Sequence, residues 1–147
     1  MSHMKAVSLI DTRFNLEDKE VICYPYLIVA IRIYMQRPFL KPRIAHTVVT
    51  ADLVKGIALR ANMFPPTSDI ERSNSSLVPA LIPHEEAIKK ARKLALRWAM
   101  AKFHLFRTPT LEIVKTKQVY KAFFYVHTDK KDILVDSVKG LEGEVIK

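Results

Sequence analysis

The side chains best suited to chemistry in this 147-residue chain are one cysteine, a handful of dispersed histidines and a few short acidic groups. Leaving His3 aside, the histidines are His46, His84, His104 and His127, and their spacing resembles no metal-ligand pattern. His84-Glu85-Glu86 offers three ligand types in a row, but the start of a helix accounts for the same residues, because carboxylates suit the positive end of a helix dipole. Cys23 stands in an apolar run without a basic neighbour to favour a thiolate, which predicts an inert buried thiol. Asp52 and Asp136 read first as turn formers, and Asp129 and Asp132, flanking Lys130 and Lys131, as a solvated hairpin tip. The chain contains no GxGxxG, GxxxxGK[ST], HExxH, GxSxG or CxxC motif. Its three glycines are too few for a glycine-rich phosphate cradle. The expectation is a protein that is not an enzyme, with no catalytic residue, no cofactor and no metal.

Charge is the other feature that could act on a partner. The net charge is +9, from 24 basic and 15 acidic residues, and the excess is local. From Val21 to Ala51 there are four basic residues, Arg32, Arg37, Lys41 and Arg43, and no acid. From His84 to Arg107 there are seven basic residues against Glu85 and Glu86. A basic surface of this kind is either a solvated face or a face that meets phosphate or an acidic protein. The candidate surface is Lys89, Arg92, Lys93 and Arg97 with the four basic residues of the first segment, and Tyr24, Tyr26, Tyr34, Phe39 and Phe103 are available for stacking on bases.

These residues must be positioned by a small set of elements. His84 to Arg107 projects as an amphipathic helix, with Ala87, Ile88, Ala91, Leu94, Ala95, Trp98, Ala99, Ala101, Leu105 and Phe106 on an arc of roughly 160° and Trp98 near its centre. Pro83 suits its first turn, and Thr108-Pro109 ends it. Lys102 falls inside the apolar arc, its stem packing and its amine reaching out. Leu96, Met100 and Phe103 line a second apolar seam, either covered by the β unit of the first half or left as a contact for a partner or a second copy. Val21 to Val29 and Gln118 to Val126 are β-branched and aromatic runs, the chemistry of strands. In the first half, Ile31, Ile33 and Met35 alternate with Arg32 and Tyr34 in a half-buried hairpin arm that turns near Pro38 to Pro42.

Met63 to Pro83, with four prolines and a Ser/Asn cluster, reads as a loop or linker. It separates an N-terminal β unit, 5–62, from a helix with antiparallel strands, 84–147, the whole expected to form one compact domain. Asp52-Leu53-Val54-Lys55-Gly56 and Asp136-Ser137-Val138-Lys139-Gly140 repeat one signature in corresponding places, which suggests a duplicated β unit. The fold class is therefore α+β, one long amphipathic helix packed on an antiparallel sheet. The longest run without a charged or strongly polar residue, Val21 to Ile31, contains Pro25 and is too short to span a bilayer. No export-signal pattern opens the chain, and the expected location is the cytoplasm.

Ile82-Pro83-His84-Glu85-Glu86-Ala87-Ile88, the strand from Val119 to Val126, and Leu134-Val135-Asp136-Ser137-Val138-Lys139-Gly140 with Glu144-Val145 together resemble the PepSY pattern over about residues 80–147. Lys139 stands where that family usually has threonine. The resemblance implies a cystatin-like helix wrapped by an antiparallel sheet, without an active site, that inhibits or regulates a protein partner. Two function classes remain open: a non-enzymatic protein-interaction or regulatory module, working on an unknown partner or as a homodimer, and a nucleic-acid binder using the basic helix and the hairpin arm.

Overall fold

A computed structural model describes residues 4–12, 20–127, 129, 132–136 and 140–146. In chain order they form β1 (Met4–Ile10), β2 (Val21–Arg37), β3 (Leu40–Asp52), β4 (Ala58–Ala61), β5 (Thr67–Ser73), a 3-10 turn (Asn74–Ser76), α1 (His84–Phe103), β6 (Thr110–His127), β7 (Asp132–Asp136) and β8 (Gly140–Ile146). The fold is α+β and dominated by strand. No helix among the described residues is long and apolar enough to cross a membrane. Residues 137–139 of the repeated signature, and the Lys130 and Lys131 tip, lie outside the described residues.

The chain divides into two compact units, Met1–Tyr26 with Pro65–Ala80 and Val119–Lys147, and Leu27–Phe64 with Leu81–Gln118. This differs from the expected succession of 5–62, a 63–83 linker and 84–147 within one domain. Each unit draws on both halves because β2 and β6 each contribute residues to both. The PepSY-like segments are divided as well, α1 belonging to one unit and the β7–β8 hairpin to the other.

In the first unit β1 and β5 form a seven-residue antiparallel ladder from Met4↔Ser73 to Ile10↔Thr67. β5 occupies the middle of the expected linker. Composition hides it because its one large apolar residue is Ile70, the rest being the Ser, Thr and charged residues typical of a sheet edge. Ser8 Oγ donates to Asp69 Oδ1 at 2.9 Å, and Ser68 Oγ donates to Asp11 Oδ1 at 2.7 Å. β1 meets β6 in parallel at Leu9↔Tyr120, so the sheet is mixed rather than wholly antiparallel. β7 pairs antiparallel with β6, and β8 with β7. Val7, Leu9, Cys23, Tyr120, Ala122, Phe124 and Val135 make the core. Cys23 is fully buried, and burial pushes its thiol pKa up, with Arg72 opposing more weakly. Cys23 forms an isolated parallel bridge to Leu77, which lies outside any named strand.

In the second unit the strand order is β4-β3-β2-β6. Leu27, Val29, Ile31, Ile33 and Met35 of β2 and Val49 and Ala51 of β3, with Leu53 just beyond it, are buried against Ala87, Ala91, Ala95 and Ala99 of α1. The alternation in β2 is the one its sequence predicts, with Arg32 and Tyr34 on the other face. Four alanines at four-residue spacing put the helix backbone close to the sheet, since each side chain is a single methyl. The centre of the buried face is therefore this alanine row. Trp98, expected at the centre, is half-buried at its flank.

Candidate binding site at the hairpin tip

Two chain reversals come together at the C-terminal end of α1. The first is the β2–β3 hairpin, which turns on Pro38 and Phe39 alone, while Pro42, expected in the turn, lies in β3. Proline presets its own φ, and Phe39 takes a left-handed φ of 61°. The second is the end of the helix. The helix was expected to run to Arg107, but it stops at Phe103, where His104 adopts φ 51° and ψ 50° and donates its N–H to Met100 O. Leu105 N–H reaches the same carbonyl at 3.4 Å, so two donors cap one orphan acceptor. The start differs slightly too: Pro83 is the extended cap residue before the first turn.

Phe39 and His104 are the two non-glycine residues with positive φ among the described residues; His104 lines a cavity of about 350 Å³, and Phe39 follows Pro38, which lines it too. The hairpin supplies Met35, Gln36, Arg37, Pro38 and Arg43, and the segment after the helix supplies Phe103 to Arg107. None of these lining residues is a carboxylate. Arg37 Nε donates to Lys41 O at 3.0 Å, which fixes the guanidinium across the hairpin. Arg43 lies 4.5 Å over the Phe103 ring, and Phe103 packs edge-on to Trp98 at 5.8 Å. Lys102 Nζ sits 5.0 Å from the Trp98 ring and 5.6 Å from that of Phe103, so its stem follows the apolar surface and its amine stays exposed. Arg60 covers Trp98 at 4.6 Å. Cations and aromatic faces thus alternate along the margin of α1. Phe106 of the lining is fully exposed, as is Phe39 in the hairpin turn, and Leu40 beside it is largely so.

Of the eight basic residues singled out from sequence, Arg37 and Arg43 reach this cavity. Lys41 contributes its carbonyl oxygen. Arg32 lies on the sheet face away from α1, paired with Glu112 Oε1 at 2.9 Å and 3.4 Å from Tyr34 Oη. Lys89, Arg92, Lys93 and Arg97 are exposed along α1. The eight do not form a single stripe. Of the apolar seam, Phe103 is part of the cavity wall, while Leu96 and Met100 are half-buried on the helix. Sequence reasoning missed His104, Phe106 and Arg107. Continuing the helix to Arg107 put Phe106 on its apolar face, His104 on its polar face and Arg107 at its end, because no glycine marks the true stop.

The residues weighed for other chemistry have local roles. His84 Nε2 lies 2.7 Å from Gln118 Oε1, and Glu85 and Glu86 are exposed in the first turn of α1. Asp52 Oδ1 accepts from Val54 N–H at 2.7 Å and Lys55 N–H at 3.0 Å, forming the turn between β3 and β4 that its signature predicts. Comparison with protein-family models, with curated proteins and with solved structures gives no match for this chain.

Proposed function

We propose that this chain is a non-enzymatic, cytoplasmic binding module, of a cystatin-like or PepSY-like kind, that presents the β2–β3 hairpin tip and the turn after α1 to a protein partner. One observation carries the reading: among the described residues, both left-handed non-glycine residues, Phe39 and His104, and both fully exposed phenylalanines, Phe39 and Phe106, lie in the hairpin turn or the segment that ends α1. A left-handed conformation costs an ordinary side chain about 1–2 kcal/mol, and an exposed phenylalanine there recovers nothing from folding. A residue that burdens the free protein in this way makes sense as one that is covered on binding. Arg37, Arg43 and Arg107 around the aromatics favour a partner with acidic side chains beside an apolar anchor.

The test is capture by the wild-type chain and by Phe39→Asn under the same conditions, with denaturant unfolding of both. Asparagine tolerates left-handed backbone, so the variant should be as stable as the parent or more stable by up to about 1 kcal/mol. A protein held by the wild type and lost at least tenfold from Phe39→Asn supports the reading. Capture indifferent to Phe39 overturns it. A dimer in sedimentation that dissociates in Phe39→Asn would make the partner a second copy.

A second reading has its own observation. Lys89, Lys93 and Arg97 stand at four-residue spacing on one exposed line of α1, the form of a phosphate-tracking row. Fluorescence anisotropy with labelled single-stranded DNA, duplex DNA and RNA distinguishes it. Affinity that falls steeply with salt, and disappears on changing Lys89, Lys93 and Arg97 to Glu while ignoring Phe39→Asn, favours nucleic acid.

A further inference from the structure

We infer that the cavity at the end of the hairpin is a small-molecule site for a phosphate monoester carried on a flat apolar or aromatic body, with Arg37, Arg43 and Arg107 gripping the phosphate. The inference goes beyond a protein-binding tip, because it requires only the cavity and no macromolecular partner.

The electrostatics point to an anion. Three arginines line one cavity of about 350 Å³ with no carboxylate in its wall, and none of the three forms an ion pair among the described residues. Like charges brought together in this way repel, and an anion between them removes the repulsion. The end of α1 is the negative pole of its dipole, which opposes an anion with about half an elementary charge. Three full positive charges outweigh it.

The arginines are also prepared for the task. Arg37 is held through Nε on Lys41 O, which leaves its Nη groups for a ligand, and Arg43 is held against the face of Phe103. A planar fork held in place loses little freedom when it binds two oxygens of a tetrahedral anion. A phosphate monoester, with close to two negative charges at neutral pH, matches three cations better than a carboxylate does. The remaining wall explains the body of the ligand. Met35, Pro38, Leu105 and Phe106 are apolar, and the volume lies at the small end of the range for organic ligands, well above what a bare phosphate would fill.

Calorimetric titration of the full chain with phenyl phosphate, inorganic phosphate, benzoate and phenol, at about 50 mM salt to limit screening, tests this. Phenyl phosphate should bind one-to-one and at least tenfold tighter than each of the other three. Arg37→Gln and Arg107→Gln should each weaken it tenfold or more, with melting temperatures confirming that both fold, while Lys93→Gln on the outer face of α1 leaves it unchanged. Absence of saturable phenyl phosphate binding overturns the inference. So does equal weakening by Lys93→Gln, which would mean diffuse surface charge, or equal affinity for benzoate. A single-stranded oligonucleotide that binds tenfold tighter than phenyl phosphate and loses its affinity in the same arginine variants also overturns it, in favour of a nucleic-acid backbone. An aryl phosphate bound in this way stands even if Phe39→Asn leaves protein capture untouched, so the two readings fail separately.

Discussion

The two ends of α1 pose the same backbone problem and answer it with different residues. Near its N-terminus the turn after β3 needs a left-handed residue, and Gly56 supplies it at φ 80°. That turn is held by a set of hydrogen bonds. Asp52 Oδ1 takes the N–H groups of Val54 and Lys55, Gly56 N–H donates to Asp52 O at 3.0 Å, and Leu53 O accepts from Leu81 and Ile82. Lys90 on the helix donates its ammonium to Gly56 O at 3.0 Å. At the other end the left-handed positions hold Phe39 and His104, and the arginines beside them meet carbonyl oxygen and aromatic faces instead of carboxylates. The first end is built for stability. At the second, a phenylalanine and a histidine occupy positions where glycine or asparagine would serve the fold better.

Breaking the economical end should produce the largest effects. Gly56→Ala forces a Cβ into left-handed backbone and to 2.7 Å from Lys90 Nζ and 2.8 Å from Ile82 Cδ1. Both neighbours are the ends of flexible side chains and can move aside, so the backbone term dominates, and a loss of about 1–2 kcal/mol is expected in urea unfolding. A loss below about 0.3 kcal/mol would show that the turn has relaxed out of the left-handed region, and the contrast between the ends would weaken. Asp52→Ala leaves two turn N–H groups without their acceptor. Val54 is half-buried and Lys55 exposed, so water replaces part of what is lost, and about 1 kcal/mol is expected by the same measurement. Neither substitution should alter phenyl phosphate binding at the far end of the helix.

The economical end could be read from sequence, and the other could not, for a physical reason. Asp52-Leu53-Val54-Lys55-Gly56 announces a turn because its residue types are those the backbone geometry prefers, and the structure ends β3 and starts β4 around it. The alternation of Ile31, Ile33 and Met35 with Arg32 and Tyr34 was legible for a similar reason, as was the alanine-rich face of α1. Local preference and fold agree there. His104 and Phe39 go against local preference, so a pattern reading continues the helix through His104 to Arg107 and spreads the arm's turn over Pro38 to Pro42. β5 was hidden in another way: an edge strand with a single large apolar residue owes its pairing to β1, far away in the chain. Arg37 and Arg43 were picked out by type alone. Their convergence with Arg107 depends on where the helix stops.

The smallest effect, and the one that sharpens the comparison most, is expected from His104→Gly. Glycine is the residue a left-handed helix cap ordinarily holds, and it keeps the N–H that donates to Met100 O. Histidine tolerates this region better than most side chains, so little strain is released, and the greater freedom of glycine in the unfolded chain offsets part of it. The net change in unfolding free energy should be a gain of a few tenths to about 1 kcal/mol. Gly56→Ala should move the same measurement in the opposite direction. If His104→Gly instead destabilises by 1 kcal/mol or more, the imidazole supports the wall formed by Phe103 and Leu105, and the histidine is there for packing. If stability rises while phenyl phosphate affinity falls severalfold, the cap residue is held for the cavity it lines.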